Sequence, residues 1–202
     1  LVGISLSYNE NKSFYIPINH KDVESKKILK DQLEEKKVLS QIKLICSDPS
    51  IMKIGQNLKY DIRLLKKYNV KFVSFDDTML LSYVLDNGLT RHGMDELAYR
   101  LLNHITIKYK DLVGSGKKQI TFDYVSIQEA TKYAAEDALI TFKLYNLLKP
   151  RLINERASKV YENIDKPLIN VLSSMEELGI KVNQQYLKKL SQEFLNDEKK
   201  IE

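Results

Sequence analysis

Two carboxylates in this sequence sit where a carboxylate is costly. After Ser126 the residues Ala130, Tyr133, Ala134, Ala138, Thr141 and Leu144 recur at spacings of three and four, the stripe by which a helix packs on a sheet. Asp137 falls on that stripe, four residues after Tyr133 and four before Thr141. An ion carried inward there needs a cation or several donors to meet it. Asp61 lies beside a second stripe, Leu58, Ile62 and Leu65. A salt bridge to one of the 32 Lys and Arg residues would satisfy either acid. The functional alternative is a carboxylate-held metal site, because Asn57 with Asp61 and Tyr133 with Asp137 each place two polar groups four apart on one helix face. His20, His92, His104 and the single Cys46 have none of the paired spacings of a zinc site, so oxygen ligands and a hard ion, Mg2+ or Mn2+, are the chemistry available.

The elements that would position these residues are legible in outline. Leu1 to Ser7 and Ser13 to Ile18 alternate as strands around a turn-like Tyr8–Lys12, which predicts an antiparallel hairpin with Pro17 near an edge. Apolar residues at helical intervals predict a helix from Lys26 to Cys46, ended by Asp48-Pro49, with Cys46 as a small buried hydrophobe. Ile51 to Gly55 reads as a strand, Asn57 as the cap of a helix to Tyr68, and Val70 to Phe75 as another strand. Asp76 or Asp77 would cap a helix to Leu85, and a further helix covers Met94 to Leu102. Thr106 to Thr121 reads as a long basic loop, and Ser126 starts the longest helix, to Arg151. Strands alternating with helices predict an α/β domain with a mixed sheet.

A net charge of +5 suits a polyanionic partner, and no apolar run approaches the ~20 residues of a membrane span, which points to a soluble, cytoplasmic protein. The chain opens on a strand pattern without Met and closes on an uncapped charged helix, so it reads as a piece of a longer polypeptide.

Four runs taken in order carry a resemblance. Gly55-Gln56-Asn57-Leu58-Lys59-Tyr60-Asp61, Phe75-Asp76-Asp77-Thr78-Met79-Leu80, Arg91-His92-Gly93-Met94-Asp95 and Tyr133-Ala134-Ala135-Glu136-Asp137-Ala138 resemble the 3′–5′ exonuclease domain of bacterial family A DNA polymerases. The stretch Asn163 to Asn183 is similar to the segment where that family passes into the thumb of its polymerase domain. The resemblance implies a ribonuclease H-like fold of the DEDD type over residues 1–155, and a helical linker with the start of the polymerase over 156–202. It implies two-metal hydrolysis of 3′-terminal nucleotides from single-stranded DNA, as proofreading for a polymerase in cis, without a membrane. Asp61 would serve the second metal ion and Asp137 the tighter one, while Tyr133 would orient the attacking water. Gln56 and Asn57 would line the terminal nucleotide's pocket, Tyr109 would lie near the 3′ base, and Arg91 near the DNA. Basic residues of Lys59–Lys71 and Lys108–Lys118 would contact phosphates.

One part of the pattern is missing. The family's first motif, an Asp-x-Glu on its first strand, does not occur in residues 1–20. The expectation is therefore weak metal binding and little activity for these 202 residues alone, with a hairpin edge left to be covered by water, by the strand at Ile51–Gly55 or by a second molecule. A non-catalytic DNA-positioning module and a stand-alone ribonuclease of the same superfamily are the competing readings.

Overall fold

The computed structural model describes residues 1–201, apart from the side chain of Lys117. Strands β1 (Gly3–Asn9) and β2 (Lys12–Pro17) form the expected hairpin, in register from Gly3 opposite Pro17 to Ser7 opposite Ser13, with a bulge before Asn9. Ser7 Oγ closes the turn by donating to the carbonyls of Asn9 and Lys12. Gly3 is demanded by packing: the Tyr15 ring lies against it where any Cβ would collide.

The helix expected from Lys26 begins only at Glu35, as α1 (Glu35–Ser47). Residues 21–32 instead fold around His20. The Gln32 side chain accepts from the His20 N–H at 2.7 Å and donates to the carbonyls of His20 and Leu29 at 3.0 and 2.9 Å, and Lys21 bridges to Ile28. Gln32 thus supplies locally what a helix would have supplied. The buried stripe is correspondingly short, Val38, Ile42 and Cys46, whereas Ile28 and Leu33 face outward.

Strand β3 (Lys53–Gly55) pairs in parallel with β4 (Phe75–Asp77), Ile54 opposite Asp76. The strand expected to end at Phe75 therefore starts there. Ser74 has φ of 55°, which breaks the extended run, while Val70 and Phe72 spend their side chains in the core beside Cys46. Among the described residues the four strands form two separate pairs and not one continuous mixed sheet.

Helices α2 (Leu58–Lys66), α3 (Thr78–Asp86) and α4 (Met94–Leu102) fall where the sequence placed them, and a short helix, α5 (Tyr109–Val113), interrupts the basic loop. The long α6 (Ile127–Asn154) starts from Ser126, whose Oγ accepts the Glu129 N–H at 3.2 Å and donates to its carboxylate at 2.8 Å, a capping box. It continues past Pro150 and packs against both strand pairs. Its inner face carries Ile140, Leu144, Leu148 and Leu152 into the main core with Leu81, Leu97, Ala98 and Tyr161. Each such fully buried aliphatic contributes roughly 1.5–3 kcal/mol.

A downstream segment follows, α7 (Ser158–Val160), a π-type turn at Tyr161–Asp165 and α8 (Lys166–Leu178), which folds back onto α2 with Ile169 buried against Leu58 and Phe75. The last helix, α9 (Gln184–Ile201), buries no side chain. Among the described residues no helix is long and apolar enough to cross a membrane.

Candidate active site

The end of β4 organises the region around α2. Asn57 stands at the cap position of α2 in the left-handed conformation, φ 56°, but its side chain does not cap the helix. Asp77 does: its carboxylate accepts the N–H groups of Asn57 and Leu58 at 3.2 and 2.7 Å, and those of Met79 and Leu80 at the start of α3 at 2.8 and 3.4 Å. One buried acid thus caps two helices. Burial nevertheless holds the Asp77 carboxyl above the ordinary range, against the pull of those backbone donors.

Its neighbour Asp76 points to the opposite side and is fully buried between Lys149 and Lys166, each Nζ at 2.9 Å, with the hydroxyls of Tyr161 and Tyr145 at 3.0 and 3.2 Å. Burial works to raise its pKa, and the two ammonium groups override it, leaving the carboxyl below its usual range. The sequence offers this acid pair as alternative caps of one helix and within the run Phe75–Leu80 that carries the resemblance, without separating the two roles. The signal available was the strand period of two, which sends adjacent residues to opposite faces.

Asp61 projects from α2 toward Asp77. Burial first, and then the Asp77 charge, raise its pKa to about 6. Gln56 is committed to scaffolding, with Nε2 donating to the His92 carbonyl at 2.9 Å and Oε1 accepting from the Thr78 hydroxyl. It thereby holds the segment that carries Arg91, whose side chain is exposed.

On α6, Tyr133 and Asp137 are neighbours, one turn apart. Burial raises the Asp137 pKa to about 7; the Tyr133 hydroxyl beside it acts in the opposite direction, and Glu136 and Asp95 add to the rise. Asp137 Oδ1 is buried and has no hydrogen-bond partner. Burial, followed by the Asp137 charge, pushes the Tyr133 phenol well above its ordinary pKa. Tyr133 closes an aromatic trio with Tyr109 and Phe122, centroids 6.0 to 6.1 Å apart, and Tyr109 remains half exposed.

The loop before Tyr109 is pinned by acids near Asp137. Glu136 meets His104 Nε2 at 2.8 Å and the Ile107 N–H at 2.7 Å, while Asp95 accepts from the Thr106 hydroxyl at 2.7 Å. Behind the trio, His20 is fully buried. It donates from Nδ1 to the Val125 carbonyl at 3.0 Å and accepts at Nε2 from the Tyr15 hydroxyl at 2.7 Å, so the neutral ring satisfies both contacts.

The structure thus brings Tyr109, Tyr133 and Asp137 together, and groups Asp61 with Asp77, Gln56 and Asn57. Among the described residues no three His, Cys, Asp or Glu side chains form a group able to hold a metal ion. A single orphaned, buried carboxylate oxygen still matches what a hard divalent ion requires of one ligand. Lys59 and Arg63 of the basic stretch on α2 pair with Glu176, and Lys66 pairs with Glu177.

The frame is mixed α/β, with Tyr133 and Asp137 on its longest helix. The family model described as 3′-5′ exonuclease matches residues 4–153, and the chain belongs to that family, the exonuclease domain of family A DNA polymerases. DNA polymerase I of Rhizobium leguminosarum is 43% identical over 100% of this chain, and that of Pseudomonas aeruginosa 39% identical over 91%. The chain spans only 21% and 20% of those proteins. In fold it is similar to Brucella melitensis NrnC, at a TM-score of 0.59, 20% identity and coverage of 88% of this chain and 83% of that one. It also resembles the structure of Pol1 from M. smegmatis in complex with DNA primer-template and dNTP, at a TM-score of 0.63, 19% identity and coverage of 96% and 29%. The ribonuclease H-like expectation stands, with the strands divided into two pairs.

Proposed function

We propose that this chain supplies half of a hydrolytic centre that removes 3′-terminal nucleotides from single-stranded DNA, proofreading for a polymerase joined downstream. The observation that carries the reading is the buried, unpartnered Asp137 Oδ1 beside Tyr133, within residues that match the exonuclease family. Asp137 and Asp61 would hold divalent ions, Mg2+ or Mn2+, with the family's upstream Asp-x-Glu completing the set. Such ions supply a nucleophile at neutral pH and offset charge on the leaving oxygen. NrnC has been solved with bound Mg2+, which supports that choice of ion.

The remaining steps belong to side chains. The Tyr133 hydroxyl, protonated at neutral pH as any phenol is, hydrogen-bonds and orients the attacking water. Half-exposed Tyr109, stacked on Phe122, offers a face to the terminal base. Asn57 and Gln56 border the terminal nucleotide, and exposed Arg91 meets the phosphate backbone. Phosphate contacts come chiefly from the Lys108–Lys118 region, since Lys59, Arg63 and Lys66 of α2 are already paired with acids of α8. The exonuclease unit is assigned residues 1–155 and the approach to the polymerase 156–202.

Digestion of a 3′ single-stranded oligonucleotide tests the reading. This chain should be nearly inert, and a chain extended upstream to include the first strand should release monophosphates only with Mg2+ or Mn2+. An extended chain that binds DNA without hydrolysing it would favour a non-catalytic positioning module.

A further inference from the structure

One phenol touches the Asp76 carboxylate and the Asp77 backbone at the end of β4. Tyr161 is fully buried. Its hydroxyl donates to Asp76 Oδ1 at 3.0 Å and accepts the backbone N–H of Asp77 at 3.0 Å. Asp77 in turn grips the N–H groups of Asn57 and Leu58. Hydrogen bonds in series therefore lead from the downstream segment to the first turn of α2, the element that carries Asp61.

The surroundings fix that phenol. Lys149 and Lys166, both bound to Asp76, hold their ammonium groups 5.0 and 5.7 Å from the centre of its ring, and Ile169 packs in one buried cluster with Leu58 and Phe75. Tyr161 lies beyond residues 4–153, the span the exonuclease family matches. Asn57 meanwhile sits in the left-handed conformation, which asparagine adopts more readily than other non-glycine residues, and its N–H is tied to Asp77.

We propose that Tyr161 is a positioning residue for the 3′-end site: its hydroxyl fixes Asp77, and through Asp77 the turn at Asn57 and the placement of Asp61, so that segment 158–178 sets the geometry of α2. The consequence for catalysis rests on the function proposed above; the structural linkage does not. Tyr161→Phe keeps the ring, its packing and its cation–π contacts with the two lysines, and removes only the oxygen that bridges the Asp76 carboxylate and the Asp77 N–H. Tyr145→Phe is the matched control, because the Tyr145 hydroxyl also reaches Asp76, at 3.2 Å, and makes no bond to Asp77.

Amide hydrogen exchange on the 202-residue chain without metal reads the linkage directly. In Tyr161→Phe the amides of Asn57 and Leu58 should exchange about tenfold faster, while those of Ile140 and Leu144 stay within about twofold of wild type. In Tyr145→Phe the Asn57 and Leu58 amides should stay within about twofold as well. Unchanged exchange at Asn57 and Leu58 in Tyr161→Phe, an equal rise across α2 and α6, or the same local rise in Tyr145→Phe would each overturn the proposal. In the upstream-extended chain, Tyr161→Phe should raise the Mg2+ concentration for half-maximal hydrolysis several-fold and change the saturated rate less. No hydrolysis by the unmutated extended chain would sink the proposed function, and the exchange data would still decide the linkage.

Discussion

Asp137 carries the sharpest consequence at the scale of single residues. Its pKa near 7, and that of Asp61 near 6, lie above the ~3.9 of an unfolded aspartate, so the folded chain holds these protons more tightly than the unfolded one. Their contribution to stability is complete below about pH 4 and is lost as the pH rises through 6 and 7. Without metal, Asp137→Asn should therefore be more stable than wild type at pH 8, by ~1–2 kcal/mol, and the advantage should vanish near pH 4 in paired melting curves. Asp137 was legible in the sequence because a charge on an apolar stripe violates a periodicity of 3.6. Asp77 was legible as the cap of α3 but not of α2, because that second role depends on a helix start that only the tertiary fold brings to its carboxylate. His20 was missed for the same reason as that second cap: its partner Val125 is 105 residues away.

At the scale of elements, helix ends explain most of the agreement and most of the difference. Ser126 and Glu129 announce α6 by local chemistry, and α6 begins where they place it. Helix α1 does not, because Gln32 offers the backbone around His20 a local alternative that no periodicity records. The strand ending at Phe75 slipped along the chain because Ser74 adopts a positive φ that its residue type does not announce.

The double cap makes a strong demand on Asp77. Asp77→Ala should cost ~2–4 kcal/mol by urea unfolding, since it uncaps α2 and α3 together and leaves buried N–H groups without acceptors. The pairing of Glu176 with Lys59 and Arg63 is partly exposed, so Glu176→Gln should change stability by less than about 1 kcal/mol in the same assay.

Across the whole molecule, the α/β class, the order of elements and the local β1–β2 hairpin were legible, while the parallel pairing of β3 with β4 and the division into two strand pairs were not, since that pairing is non-local. The two strand pairs both rest on α6, which also carries Tyr133 and Asp137, so the frame and the proposed chemistry share one element. Single-stranded DNA binding, if it runs through the Lys108–Lys118 region, should weaken steeply between 50 and 200 mM salt, on the order of tenfold or more for a few phosphate contacts, by fluorescence anisotropy. A flat salt response would mark that basic surface as merely solvated.

The most direct test of the central claim compares release of 3′-terminal nucleotides from a single-stranded oligonucleotide by the upstream-extended chain and two variants of it. Asp137→Ala should lower the rate by about a thousandfold or more, and Tyr133→Phe should only slow it, since orientation of the water is lost while the carboxylates remain. An Asp137→Ala variant that keeps a rate near that of the parent would contradict the account.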